Sequence, residues 1–404
     1  PANPLWGVPF AVKDTIDVAG YETTAACPAY AYTPTQDAFV VAKLREAGAI
    51  FIGKTNLDQF ATGLVGVRTP YGAPRNSIDP EIVPGGSSGG SGVAVGHGIV
   101  AFSLGTDTAG SGRVPAALNN IVGLKPTLGA LSATGVVPAC RSVETISVFA
   151  LTVADAYTAF SVACAYDAAD AYARHISAPA LAAPKPAPVI GIPSRESIRF
   201  SGDAVQEASF NAAVDLLRDQ GAEIREIDFT PLYDVADMLY EGAWVAERYT
   251  VIADLLHKEP EAILPVTRQV ICKAEKLSAA DAFRGMYRLK ELSRIAETAL
   301  EGLDMLCVPT IPTFHTVAEL EADPIGPNSN FGTYTNFVNL LDMCGIAVPV
   351  PTRDDGRPGS VTLLAAAGKD AEIAASGLAL EAAGQRKLGA TDWPFTSAPT
   401  PKPA

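Results

Sequence analysis

Residues 84–115 constrain the fold more than any other stretch. Two small-residue clusters, Gly85-Gly86-Ser87-Ser88-Gly89-Gly90-Ser91-Gly92 and Gly105-Thr106-Asp107-Thr108-Ala109-Gly110-Ser111-Gly112, flank one apolar run at 99–104. Glycine lets backbone approach backbone or ligand closely, because no Cβ intervenes. If 99–104 is a buried strand and 88–95 a helix, both clusters return to one edge of a sheet. Backbone N–H groups and serine hydroxyls then gather in one place, the candidate active site.

The remaining chain reads as α/β. Apolar and β-branched runs predict strands at 7–12, 49–53, 99–104, 189–192, 223–229, 304–308, 346–350 and 360–364. Helical spacing predicts helices at 37–47, 56–62, 88–95, 113–119, 153–165, 204–220, 232–256, 262–277, 279–303, 334–343 and 369–383. Strands alternate with helices, which implies one sheet covered on both faces. With 48% hydrophobic and 18% charged residues among 404, the chain suits a large core rather than disorder. Residues 1–390 are expected to form one domain, and 391–404 a Pro-rich tail or linker.

Charge and composition exclude several partners. A net charge of −14 argues against nucleic acid or an anionic membrane, so an anionic small substrate would need a dedicated local cation. No apolar run reaches the roughly 18 residues of a membrane span. The six cysteines and four histidines are scattered, without metal-ligand spacing. Reduced cysteines and a cytoplasmic location are expected.

Three residues invite a chemical reading. Lys13 ends an apolar strand, either as a surface cation or as a buried amine whose pKa is lowered enough to act as a base. Ser87 sits in a formal G-x-S-x-G match, which suggests a nucleophile elbow, with His315 the best-placed partner. Ser111 is either the cap of a tight turn or lies where the N–H groups of Thr108, Ala109, Gly110 and Ser111 converge on an oxyanion. The alternative of a glycine-rich nucleotide-binding module lacks a Gly-Lys-Ser/Thr sequence after its glycines.

Together these segments resemble the amidase signature family. The shared motifs are Gly7-Val-Pro-Phe-Ala-Val-Lys13-Asp14, Pro84-Gly-Gly-Ser87-Ser-Gly-Gly-Ser91, Gly105-Thr-Asp-Thr-Ala-Gly-Ser111 and Gly123-Leu-Lys-Pro-Thr127. The resemblance implies the amidase signature fold, a large mixed β-sheet with helices on both faces. It also implies a Ser–cis-Ser–Lys triad: Ser111 as nucleophile, Ser87 on a cis Gly86–Ser87 peptide as bridge, and Lys13 as base. Asp107 and Arg113 are expected to brace this loop, with Ser88 as a hydrogen-bond partner behind it. No metal or organic cofactor is implied, and a homodimer is.

Within that family, the segments 56–68, 70–72, 240–249 and 332–341 resemble allophanate hydrolases. This implies that Tyr240 and Arg248 bind a small anionic amide substrate. On one ideal helix, residues eight apart are rotated by about 80°, so both would lie on one face. Arginine suits a carboxylate through its bidentate fork; the alternative is a surface ion pair. The implied reaction is hydrolysis of the terminal amide of allophanate with release of ammonia. Alternatives are an amidase acting on malonamate or biuret, and a glutaminase subunit of a tRNA-dependent amidotransferase.

Overall fold

The computed structural model describes residues 3–384, 386–393 and 395. Most of the 391–404 tail lies outside them. In the first half, β1 (Pro9–Lys13), α1 (Phe39–Glu46) and β2 (Ile50–Thr55) are followed by α2 (Gly89–Gly96), β3 (Phe102–Asp107) and α3 (Val114–Leu118). Next come β4 (Val122–Lys125), β5 (Thr145–Ala150), α4 (Val153–Ala163), β6 (Val189–Pro193), α5 (Ala204–Asp219) and β7 (Glu223–Ile227). The helices α6 (Thr230–Glu241), α7 (Trp244–Lys258), α8 (Pro265–Ile271) and α9 (Ala279–Ala299) precede β8 (Met305–Pro309). The chain closes with α10 (Val317–Ala322), α11 (Gly326–Phe331), α12 (Phe337–Leu340), β9 (Met343–Val350), β10 (Gly359–Ala366) and α13 (Asp370–Ala383).

The strands form one ten-stranded mixed sheet in the order β2-β1-β3-β5-β4-β9-β10-β8-β6-β7. Its ends are parallel (β2, β1, β3 and β8, β6, β7) and its middle antiparallel. The period-2 alternation of strand side chains feeds two cores. Phe10, Val12, Leu104, Ile146, Val148 and Ile346 pack under α1, α4, α5 and α13. On the opposite face, Leu306, Val308, Met343 and Leu364 pack under α6, α9 and α12.

Several expected elements are displaced, each for a local reason. The strand begins at Phe102 rather than 99, because Gly98 turns with φ +68 and Ile99 N–H bonds back to Ala94 O (2.9 Å). The helix expected at 56–62 is only a three-residue 3₁₀ turn, Gln59–Ala61. There the chain wraps around the Asp58 carboxylate, which accepts the N–H groups of Val65 (3.1 Å), Gly66 (2.9 Å) and Arg68 (2.9 Å). The 232–256 segment is two helices, broken at an extended Gly242. The 262–277 segment is a short α8 followed by a 3₁₀ turn. Of 334–343 only the four residues of α12 are helical, and Met343 already opens β9. No strand was expected between 119 and 153, yet β4 and β5 form there and occupy the middle of the sheet.

Candidate active site

Lys13, Ser87 and Ser111 are brought together by three different elements. Alternation along β1 sends Phe10 and Val12 into one core, and Ala11 with Lys13 to the α2 side. Ser87 stands in the loop that enters α2, and its peptide bond to Gly86 is cis. Its carbonyl accepts Asp58 N–H (3.0 Å). Position 86 must be glycine, since a Cβ there would collide with the Asp58 carboxylate and Gly66 N. Ser111 follows β3 in a loop organised by Asp107. That carboxylate accepts Gly110 N–H (2.9 Å), Gly112 N–H (3.0 Å) and a bidentate pair from Arg113 (2.9 Å each). Arg113 and Asp107 are fully buried, so a charge-assisted pair fixes the loop from below. Asn339 closes the rear, its Nδ2 donating to Asp107 O (2.7 Å) and Val143 O (2.8 Å).

The three side chains are hydrogen-bonded in series. Lys13 Nζ donates to Ser87 Oγ (2.7 Å), and Ser87 Oγ donates to Ser111 Oγ (3.0 Å). Lys13 Nζ also donates to Thr106 Oγ1 (2.7 Å), a partner the sequence did not mark. Ser88 Oγ braces the same strand through Thr106 O (3.2 Å). Burial lowers the Lys13 pKa to about 8, against the opposing fields of Glu144, Asp58 and Asp107 and with a further push from Arg248. At pH 7 about a tenth of such molecules would carry the free amine. The surface-cation reading of Lys13 is therefore excluded. The nucleophile-elbow reading of Ser87 is also excluded, since Ser87 Oγ bonds to Lys13 and Ser111, while His315 Nε2 bonds to Asn330 (3.0 Å).

One expected oxyanion donor needs correcting. Gly110 N–H is already committed to Asp107 Oδ1, so it does not point at a substrate oxygen. The N–H groups of Thr108, Ala109 and Ser111 have no acceptor among the described residues. Gly110 serves a different need. Its φ of +130 and the contact with Thr335, which leaves no room for a Cβ, let the loop turn before Ser111.

Tyr240 and Arg248 meet, but not along one helix. The break at Gly242 puts Tyr240 at the end of α6 and Arg248 one turn into α7, so the 80° relation does not apply. The bend turns α7 back, and Arg248 Nη2 donates to Tyr240 Oη (3.3 Å) with the guanidinium over the ring (5.1 Å). Arg248 Nη1 donates to Ala61 O (3.2 Å) and Thr62 Oγ1 (3.3 Å). Arg248 is 2% exposed, which rules out a surface ion pair. Its Nε has no partner, and among the described residues no carboxylate pairs with it. Burial opposes its charge, yet Tyr240, Cys140, Glu144 and Glu247 raise its pKa above the ordinary arginine value. A buried guanidinium with an open Nε can accept a small anion.

Comparison with known proteins identifies a family. The family described as Amidase matches residues 1–374. The urea amidolyase of Saccharomyces cerevisiae is 49% identical over 364 residues, covering 89% of this chain and 20% of its own length. A glutamyl-tRNA(Gln) amidotransferase subunit from Carboxydothermus hydrogenoformans is 35% identical over 377 residues, covering 86% of this chain and 77% of its own. Among solved structures, Kluyveromyces lactis allophanate hydrolase superposes with a TM-score of 0.94 at 46% identity, covering 98% of this chain and 65% of that one. The chain thus spans about a fifth of the length of the urea amidolyases it matches.

Proposed function

The chain belongs to the amidase family, and on that premise we propose that it hydrolyses the terminal amide of allophanate, releasing ammonia. One observation carries the reading: a continuous Lys13–Ser87–Ser111 hydrogen-bond series (2.7 and 3.0 Å), with the buried Arg248, its Nε open, bonded to the same 58–62 loop that holds the Ser87 carbonyl. Likeness to urea amidolyase and allophanate hydrolase supports the same substrate.

The donors described above are those of a protonated Lys13. With Lys13 neutral the series reverses: Ser111 O–H donates to Ser87, and Ser87 O–H donates to Nζ. As Ser111 Oγ attacks the terminal carbonyl carbon, its proton passes to Ser87 and the Ser87 proton to Lys13. The N–H groups of Thr108, Ala109 and Ser111 receive the oxyanion, while Arg248 and Tyr240 hold the substrate carboxylate. On collapse the C–N bond breaks, and the leaving nitrogen takes the proton back through Ser87 and departs as ammonia. Water then attacks the acyl-enzyme with the same proton relay, freeing Ser111 and an N-carboxycarbamate, which loses carbon dioxide.

Ammonia release across allophanate, biuret, malonamate and glutamine tests the reading. Allophanate should be the best substrate, and Ser111→Ala should lower its rate by about 10⁴-fold or more. A fully active Ser111→Ala protein would sink the assignment. Arg248→Ala should raise KM for carboxylate-bearing substrates by an amount worth about 2–3 kcal/mol. The amidotransferase relatives favour a second reading as a glutaminase, which glutamine outperforming allophanate would support. A homodimer, implied by the amidase signature resemblance, belongs to this reading and is tested by light scattering. So does a cytoplasmic setting, which the six free cysteines support and cell fractionation tests.

A further inference from the structure

Glu144 is a buried acid that the proton relay leaves unused. It precedes β5, whose antiparallel register with β3 pairs Thr145 with Asp107, so Glu144 lies beside Thr108 of the oxyanion loop. Glu144 is 8% exposed and Thr108 3%. Glu144 Oε2 accepts Ala139 N–H (2.6 Å), which fixes the carboxyl and leaves Oε1 over. Burial raises the Glu144 pKa, while the Ala139 N–H, Lys13, the nearby Thr108 hydroxyl and Arg248 favour its charged form; the Thr108 hydroxyl itself is not in hydrogen-bonding geometry with it. Glu144 Oε1, Thr108 Oγ1 and Arg248 Nε are therefore three buried polar atoms without a partner among the described residues. Such atoms are costly unless something satisfies them.

Their arrangement indicates what that is. The register places Glu144 beside Thr108, and the same segment is tied to α7 next to Arg248, where Cys140 Sγ donates to Trp244 O (3.5 Å) and Ser142 Oγ to the Glu247 carboxylate (2.7 Å), so Glu144 lies between the oxyanion loop and α7. In a substrate whose carboxylate is on Arg248 and whose terminal carbonyl faces Ser111, the atom between them is the internal nitrogen. We propose that Glu144 Oε1, backed by Thr108, accepts the internal N–H of the acyl urea, and so selects it over isosteres that carry a methylene at that position. This rests on the allophanate reading. A site built to bond an N–H rejects an analogue lacking it, because its buried acceptor is then left bare.

The test compares allophanate with malonamate, which keeps the carboxylate and terminal amide but has CH₂ in place of the internal N–H. In Glu144→Gln, Ala139 N–H holds the amide oxygen, so the NH₂ group faces the substrate N–H. The kcat/KM ratio of allophanate to malonamate should fall by about ten- to a hundredfold. Thr108→Val is a second, shape-conserving variant and should lower the ratio in the same direction. If both substrates lose the same factor in a folded Glu144→Gln protein, Glu144 acts only on the relay and the proposal is overturned. If the unmodified chain releases ammonia from neither substrate, the allophanate reading itself fails, and this inference with it.

Discussion

Lys13 is tuned by burial to change charge near pH 8, and that gives the relay a signature. The proposed mechanism needs the neutral amine, which becomes the majority form only above a pKa of about 8. The kcat/KM for allophanate should therefore rise about tenfold per pH unit below that value and level off above it. A profile flat between pH 6 and 9 would show that Lys13 is not the base. Thr106 is the other acceptor that aims Nζ (2.7 Å). Thr106→Val should lower kcat by about ten- to a hundredfold with KM little changed, because it loosens the amine and not the substrate. A rise in KM alone would place Thr106 in substrate binding instead. Lys13, Ser87 and Ser111 were legible through motifs that resemble the amidase signature family, since the residues alone left Lys13 between a surface cation and a base and Ser111 between a cap and a reactive hydroxyl. Thr106 and Glu144 were not, since a strand threonine and an acid before a strand look ordinary until the chain has folded around them.

At the scale of elements, loops held by single carboxylates decide the geometry. Asp107 gathers two N–H groups and the Arg113 fork behind Ser111. Burial works against this carboxylate, but Arg113 and the surrounding donors keep its pKa below the usual range. Removing one partner of a fully buried pair leaves an uncompensated charge. Arg113→Met should destabilise the protein by about 3–5 kcal/mol in urea unfolding. A loss below about 1 kcal/mol would mean that the Gly110 and Gly112 N–H groups carry the loop alone. The long amphipathic helix α5 was readable from spacing; Asp203 caps it by accepting Gln206 N–H (2.9 Å). The misreadings fall where a side chain captures backbone or a glycine breaks the helix. Asp58 unwinds 56–62, and the extended Gly242 splits a helical pattern that periodicity alone reads as continuous. The central strand β4 is short, with a glycine and a lysine inside it, and its burial comes from β5 and β9 rather than from its own sequence.

At the scale of the molecule, strand alternation announced an α/β sheet, but not its order. Sequence neighbours β4 and β5 separate β3 from β9, and nothing local encodes that crossing. What the order achieves is placement. The β1 and β3 ends bring Lys13 and the Ser111 loop together, β5 sets Glu144 against Thr108, and the bend between α6 and α7 brings Arg248 to Tyr240 and to the 61–62 turn. Each group in the proposed machinery thus comes from one chain. Self-association, if it occurs, need not complete the site, and mass action then has no hold on turnover. Specific activity for ammonia release from allophanate should stay constant through a thousandfold dilution that dissociates any oligomer. A fall in activity that tracks the loss of the oligomer, reversed on reconcentration, would mean that a second copy supplies or supports part of the site.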